Sequence, residues 1–256
     1  MTADLRAQSA ERIHVFRFAS PATFFALAGR VVPWFAAAAT LLAVAGLYVG
    51  FFVAPSDAVQ GEAYRIIYIH VPAAWMAMFL YLVMAFWAAI GLAFNTRMSS
   101  MLAAALAPSG ALMAAVALWT GALWGRPMWG AYWVWDARLT STLILLFLYL
   151  GFMSLHAAID DVRRADRACA VLALVGAINV PIIYFSVKWW NTLHQGATIS
   201  MVKAPTIATP MLLGLLLMAL SFWMYSIAMA LSRARVILLE RERDSAWVRA
   251  WLRTRQ

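Results

Sequence analysis

Six long apolar runs constrain this chain more than anything else in it. They cover roughly 31–53, 72–94, 101–123, 139–159, 168–187 and 207–231, each with few or no charges. A helix needs about 20 such residues to cross a hydrocarbon core about 30 Å thick. Each run is expected to be helical, because a backbone facing lipid must satisfy its own hydrogen bonds. The runs do not alternate apolar with polar residues, which argues against a porin-like barrel. Composition agrees: 65% of the 256 residues are hydrophobic and 12% charged, where a soluble domain has about a quarter charged. The expectation is a single all-α domain over 1–256 that crosses a membrane six times.

The charges sort by side. Fifteen Lys and Arg fall before the first run, in 95–100, in 160–167 and after the sixth run; five fall in 54–71, 124–138 and 188–206. By the positive-inside rule both termini are expected in the cytoplasm. The net charge of +9 is then a topology signal, and no basic groove for nucleic acid is visible. The segment RIHVFRFASPATFFALAGR reads as an amphipathic lead-in at the inner interface, with Ser20 as cap and Pro21 at the first helical position. The first run is too long for the apolar core of a secretory signal.

Several chemistries find no motif. Lys188 and Lys203 each follow a valine, so no GxxxxGK loop is present; GxGxxG and HExxH are also missing. Cys169 stands alone, which leaves no internal disulfide and no CxxC or CxxCH motif; a small buried thiol is its expected role.

The segment WGRPMWGAYWVWD, residues 124–136, is where function concentrates. It holds Trp124, Trp129, Trp133 and Trp135, with Tyr132 and a closing Asp136. An aromatic belt would put one or two rings at helix ends on both sides. Here six of the 13 tryptophans, counting Trp189 and Trp190, lie in two outer loops. Such rings bury large area with few rotatable bonds, which suits a platform for a flat apolar ligand. Gly125, Pro127 and Gly130 are expected to break the helix there. A short helix over 129–136 would put Trp129, Trp133 and Asp136 on one face; an extended strand would pair Trp133 with Trp135. Asp136 suits the cap of the fourth span. Arg126 and Arg138 flank the wall, as interface anchors or as partners for ligand carboxylates.

The four histidines differ in depth. His14 precedes the first span, and His156 lies about 25 Å along the fourth, where a satisfied polar group is expected. His70, in YRIIYIHVPAAW, and His194, in SVKWWNTLHQGATIS, share a side with the tryptophans. Each alone reads as an ordinary interfacial hydrogen-bonding residue. Together, beside an aromatic wall, they suggest axial ligands of a planar metal complex. Haem fits: its iron takes two imidazoles, its ring wants apolar walls and its propionates want cations.

These residues carry a resemblance. WGRPMWGAYWVWDARLTS resembles the tryptophan-rich WWD motif of haem-handling proteins of cytochrome c maturation. Six spans and the histidines in IHVPAAW and WWNTLHQG are similar to its haem exporter protein C branch, over about residues 20–231. The resemblance implies a bacterial inner-membrane protein, not an enzyme, that presents non-covalent haem b at the periplasmic face. It implies His70 and His194 as axial ligands. Trp124, Trp129, Trp133, Trp135 and Asp136 would hold the haem for a periplasmic chaperone, CcmE. An ATP-binding-cassette pair, CcmA and CcmB, and a small subunit, CcmD, complete the implied complex. Tyr132 stands where that motif has Trp, and keeps an aromatic face.

Two other classes compete with this reading. A quinol-oxidising cytochrome would stack haems on histidines inside the membrane, where only His156 is available. A cofactor-free permease-like scaffold would use Pro108-Ser109-Gly110 and Asn179 with Pro181 as kinks lining a path; the same residues serve equally as packing bends.

Overall fold

The computed structural model describes residues 20–190, 192–194 and 207–254. Its helices are α1 (Pro21–Tyr48), α2 (Ile67–Phe94), α3 (Arg97–Trp129), α4 (Ala137–Ala158), α5 (Val162–Gly176), α6 (Asn179–Trp189), α7 (Thr209–Arg241) and α8 (Ala246–Arg253). They provide six membrane-length crossings, α5 and α6 together making the fifth. The described chain is helical with no β-strand. His14 and the lead-in before Ser20 lie outside the described residues.

Every crossing is longer than its apolar run, because hydropathy detects only the part that sits in hydrocarbon. α1 starts at Pro21, where the Ser20 Oγ accepts the Thr23 N–H at 3.3 Å, as expected. It ends in a wide turn over Val49–Val53, in which the Ala54 N–H reaches the Val49 carbonyl. Gly50 in that turn lets the chain pass the Tyr68 ring, which a Cβ would approach to 2.6 Å. Arg65 then donates to the freed carbonyls of Gly50 and Ala54. It lies on a short 3₁₀ turn, Glu62–Ile66, that leads into α2.

The third crossing departs most from expectation. α3 continues through Gly125 and Pro127 to Trp129. Pro127 removes one intrahelical N–H near a helix end, where few such bonds remain to be lost. Gly130 is the actual stop, with φ 78° in the left-handed region and its N–H on the Arg126 carbonyl.

The kinks are packing features. Gly110 lies where any Cβ would enter the buried Tyr149 ring, whose hydroxyl donates to the Ala77 carbonyl at 2.8 Å. The fifth crossing breaks between α5 and α6, and there the buried Asn179 amide donates to the Ser141 carbonyl at 2.8 Å. α2 packs along α3, with α4, α5 and α6 completing that group; α1 packs along α7. Ser221 of α7 donates to the Ala39 carbonyl of α1 at 2.8 Å.

At the end away from His70, Arg241 makes two 2.8 Å bonds to Asp166 and lies 3.0 Å from His156. His156 is therefore a satisfied structural group. Cys169 is buried with its Sγ toward the Phe152 carbonyl.

Candidate functional site: a cleft between two histidines

His70 ends the first turn of α2. Its Nδ1 is 3.0 Å from the Thr120 Oγ1 of α3. That hydroxyl is 2.6 Å from the Val116 carbonyl, which can only accept, so the hydroxyl hydrogen goes there. The Thr120 lone pair then faces Nδ1, which donates to it. The assignment leaves Nε2 with its lone pair free, the form a metal ligand needs. Trp124, one turn beyond Thr120, sets its ring edge-on to His70 with centroids 5.5 Å apart. The indole is itself held by Gln60, whose Oε1 accepts from Nε1 at 2.8 Å, and by the Tyr64 ring. Gly121 leaves room for the imidazole, since a Cβ would come within 3.0 Å of His70 Cε1.

His194 is held from another side. Its Nδ1 lies 3.3 Å from the Asp136 Oδ2, while Asp136 Oδ1 accepts the Leu139 N–H at 2.7 Å and caps α4. The Trp129 ring lies 4.9 Å from the His194 ring. Burial lowers the His194 pKa below its usual 6.5, and the Arg138 charge adds to this while Asp136 opposes it. The contact with Asp136 is then a neutral imidazole N–H on a carboxylate, and Nε2 is again the free nitrogen. Carboxylate–imidazole pairs of this kind orient metal-binding histidines and raise their basicity.

Both histidines line one cleft. Arg138 is the cation in its wall, and Ala74, Leu118, Leu145 and Ile183 make much of the rest apolar. The cleft offers two imidazoles, an aliphatic wall and one guanidinium, a set that suits a flat, largely apolar metal complex bearing carboxylates.

The tryptophan segment is arranged differently from a continuous platform. Trp124 and Trp129 buttress one histidine each, and the described cleft lining is aliphatic rather than tryptophan. Residues 131–136 are non-helical, so the short-helix alternative for 129–136 does not hold. Trp129 belongs to the last turn of α3. Trp133 and Trp135 form an edge-to-face pair with centroids 5.3 Å apart; Trp135 is 77% exposed. The Trp133 Nε1 is buried with no hydrogen-bond partner in the described structure. Arg126 donates to the Gly130 carbonyl and sits 5.7 Å over the exposed Tyr132 ring, so it braces the turn, whereas Arg138 faces the cleft. Sequence reasoning missed Thr120, Gly121 and Gln60. Thr120 had a signal: a hydroxyl one helical turn before Trp124 in an apolar run.

The fold and cleft define a class: a multi-pass helical membrane protein with two oriented histidines lining one cleft at one end. Comparison with known proteins gives the family. Residues 14–249 match the family model described as CcmC, Heme exporter protein C, and the chain belongs to that family. It is 44% identical to Heme exporter protein C of Escherichia coli K12 over 233 residues, 91% of this chain and 94% of the relative. It is 48% identical to Heme exporter protein C of Bradyrhizobium diazoefficiens over 223 residues, 87% and 84% of the two chains. It is also 44% identical to a putative cytochrome c biosynthesis ccmC-like mitochondrial protein of Marchantia polymorpha over 187 residues, 73% and 79% of the two.

Proposed function

We propose that this chain is a haem-handling component of cytochrome c biogenesis, working in haem export rather than as an enzyme. Haem b is its cargo, held without covalent attachment between His70 and His194. The observation that carries the reading is the pair of histidines on one cleft, each with Nδ1 engaged and Nε2 free. Iron would take the two Nε2 atoms. Arg138 would meet a propionate, and the aliphatic wall would exclude water from the ring. Trp124 and Trp129 fix the imidazole planes. Trp133, with its unpartnered indole N–H, and the exposed Tyr132 and Trp135 would form the rim on which cargo is passed on.

Supporting the placement are the family and the charge asymmetry: an inner-membrane protein with both termini cytoplasmic and 124–138 on the periplasmic side. The receiver proposed is the periplasmic chaperone CcmE. CcmA and CcmB would supply the ATP chemistry for which this chain has no motif, with CcmD as the small subunit.

The test is an absorption spectrum of the chain purified from haem-replete cells, beside His70→Ala and His194→Ala. Two-imidazole bands that weaken or shift in each variant are expected. Unchanged bands in both variants would move the ligands elsewhere. No haem in any sample would leave a cofactor-free scaffold as the better reading.

A further inference from the structure

At the end of the bundle away from the histidines, an open basin lies between the α2–α3 turn and the start of α5. Arg97, Arg163 and Arg167 line it, with Asn95, Ser100 and Asp166. The ion pairs among the described residues include none of these three arginines. Asp166 does not neutralise them, because both its oxygens are engaged by Arg241. Asp161, next to Arg163, caps α5 through the Arg164 N–H at 2.8 Å. The basin is thus a concave surface with three arginines outside the ion pairs of the described residues, and its lining carboxylate, Asp166, is held by Arg241.

Local backbone adds to this. α3 begins at Arg97 without a side-chain cap, since the Thr96 hydroxyl turns to Ser99 at 2.7 Å. Its first turn therefore has no side-chain cap, and a helix N-terminus favours anions. Asn95 turns the chain there at φ 51°. Apolar surface adjoins the basin: Leu92 lines it, and Phe94, next to the lining residue Asn95 in the chain, is 73% exposed. A free anion would have no use for that surface, whereas acyl chains would lie along it. Basic pockets between membrane helices at one leaflet's headgroup level suit anionic lipid, and arginine pairs with phosphate through two parallel N–H bonds.

We propose that this basin binds a phosphate group, supplied by the headgroup of an anionic phospholipid in the adjacent leaflet. A lipid seated there would bridge the α2–α3 turn to α5.

The experiment uses the full chain in mild detergent. Arg97, Arg163 and Arg167 are changed together to Gln, and Arg243→Gln with Arg253→Gln serves as a control for bulk charge. Phosphatidylglycerol and phosphatidylethanolamine are added in equal amounts, and retained lipid is counted by native mass spectrometry. The expected result is retention of phosphatidylglycerol over phosphatidylethanolamine by the parent and the control, falling at least about tenfold in the triple variant. Inorganic phosphate is then titrated into lipid-free protein. Arginine-dependent binding of phosphate without retention of phosphatidylglycerol would keep the phosphate site and overturn its assignment to lipid. Equal retention by parent and triple variant would overturn the site itself, as would a loss matched by the control. A variant with an unchanged melting temperature makes lost retention a statement about binding, not folding.

Discussion

Asp136 holds two structures at once: its Oδ2 lies 3.3 Å from the Nδ1 of His194 while its Oδ1 takes the Leu139 N–H at 2.7 Å. One carboxylate therefore starts the fourth crossing and aims a histidine into the cleft. An acid closing the tryptophan segment is explained by the two tasks together, since capping alone would accept Ser, Thr or Asn as well.

Asp136→Asn separates the tasks. An amide oxygen can still cap α4, but the amide N–H₂ then faces Nδ1. The imidazole would accept there and carry its proton on Nε2, the atom a metal needs free. Haem affinity measured by titration of the purified protein is expected to fall about 10–100-fold, with the melting temperature little changed. Asp136→Ala should add a loss of about 0.5–2 kcal/mol of stability from the cap. Unaltered affinity in Asp136→Asn would remove the carboxylate from the site's chemistry.

Thr120→Val keeps the shape and deletes the acceptor for the His70 Nδ1–H. The imidazole then loses its fixed tautomer in a site where its ring has little space to turn. Haem binding is expected to weaken by roughly tenfold or more, with Thr120→Ser restoring it. Equal binding in the Val and Ser variants would sink the proposed role.

The low pKa of His194 makes stability depend on pH in one direction. Its folded value is below the usual 6.5, chiefly through burial and then Arg138. Between the two values the unfolded chain binds the extra proton, so the contribution is complete above about pH 6.5 and is lost as pH falls below it. Melting temperatures in detergent should therefore drop more steeply in the parent than in His194→Gln between about pH 7 and pH 5. Arg138→Gln, by removing the second cause, should make the parent's drop shallower. Parallel curves in all three proteins would refute the assignment.

Two glycines should respond to alanine for different reasons. Gly130 has open space around it but a left-handed φ of 78°, so Gly130→Ala is expected to cost about 1–2 kcal/mol through backbone alone. Gly110→Ala drives a methyl into the fully buried Tyr149 ring, and should cost about 1–3 kcal/mol or prevent assembly. Thermal melts of both variants in the same detergent would rank them, and a milder Gly110→Ala would contradict the packing described.

Much of the architecture was legible, because a bilayer accepts few solutions. The six apolar runs became six crossings, Ser20 with Pro21 opened the first, and Asp136 capped the fourth. That His70 and His194 would lie at one end of the molecule was legible because both shared a side with an aromatic cluster. What escaped had no local signature. Gly125 and Pro127 read as breakers, yet near a helix end they remove little. Thr120 matters only because α3 packs against α2 there, a tertiary relationship invisible in one run. The tryptophans were expected to form a wall. Their actual partners, Gln60 for Trp124 and His194 for Trp129, lie 64 and 65 positions away.

The pairing of α1 with α7 has a consequence for how the protein is made. The Ala39 carbonyl waits for a hydroxyl, Ser221, that lies 182 positions later in the chain. At ordinary synthesis rates of about 5–20 residues per second, the first crossing must reside in the bilayer on the order of ten to forty seconds before its principal partner exists. It can do so because its backbone bonds are internal and its surface is apolar enough to tolerate lipid on every side. The last crossing is thus a closing element. Any chain released before Thr209 would leave the first helix without the partner it was built to meet.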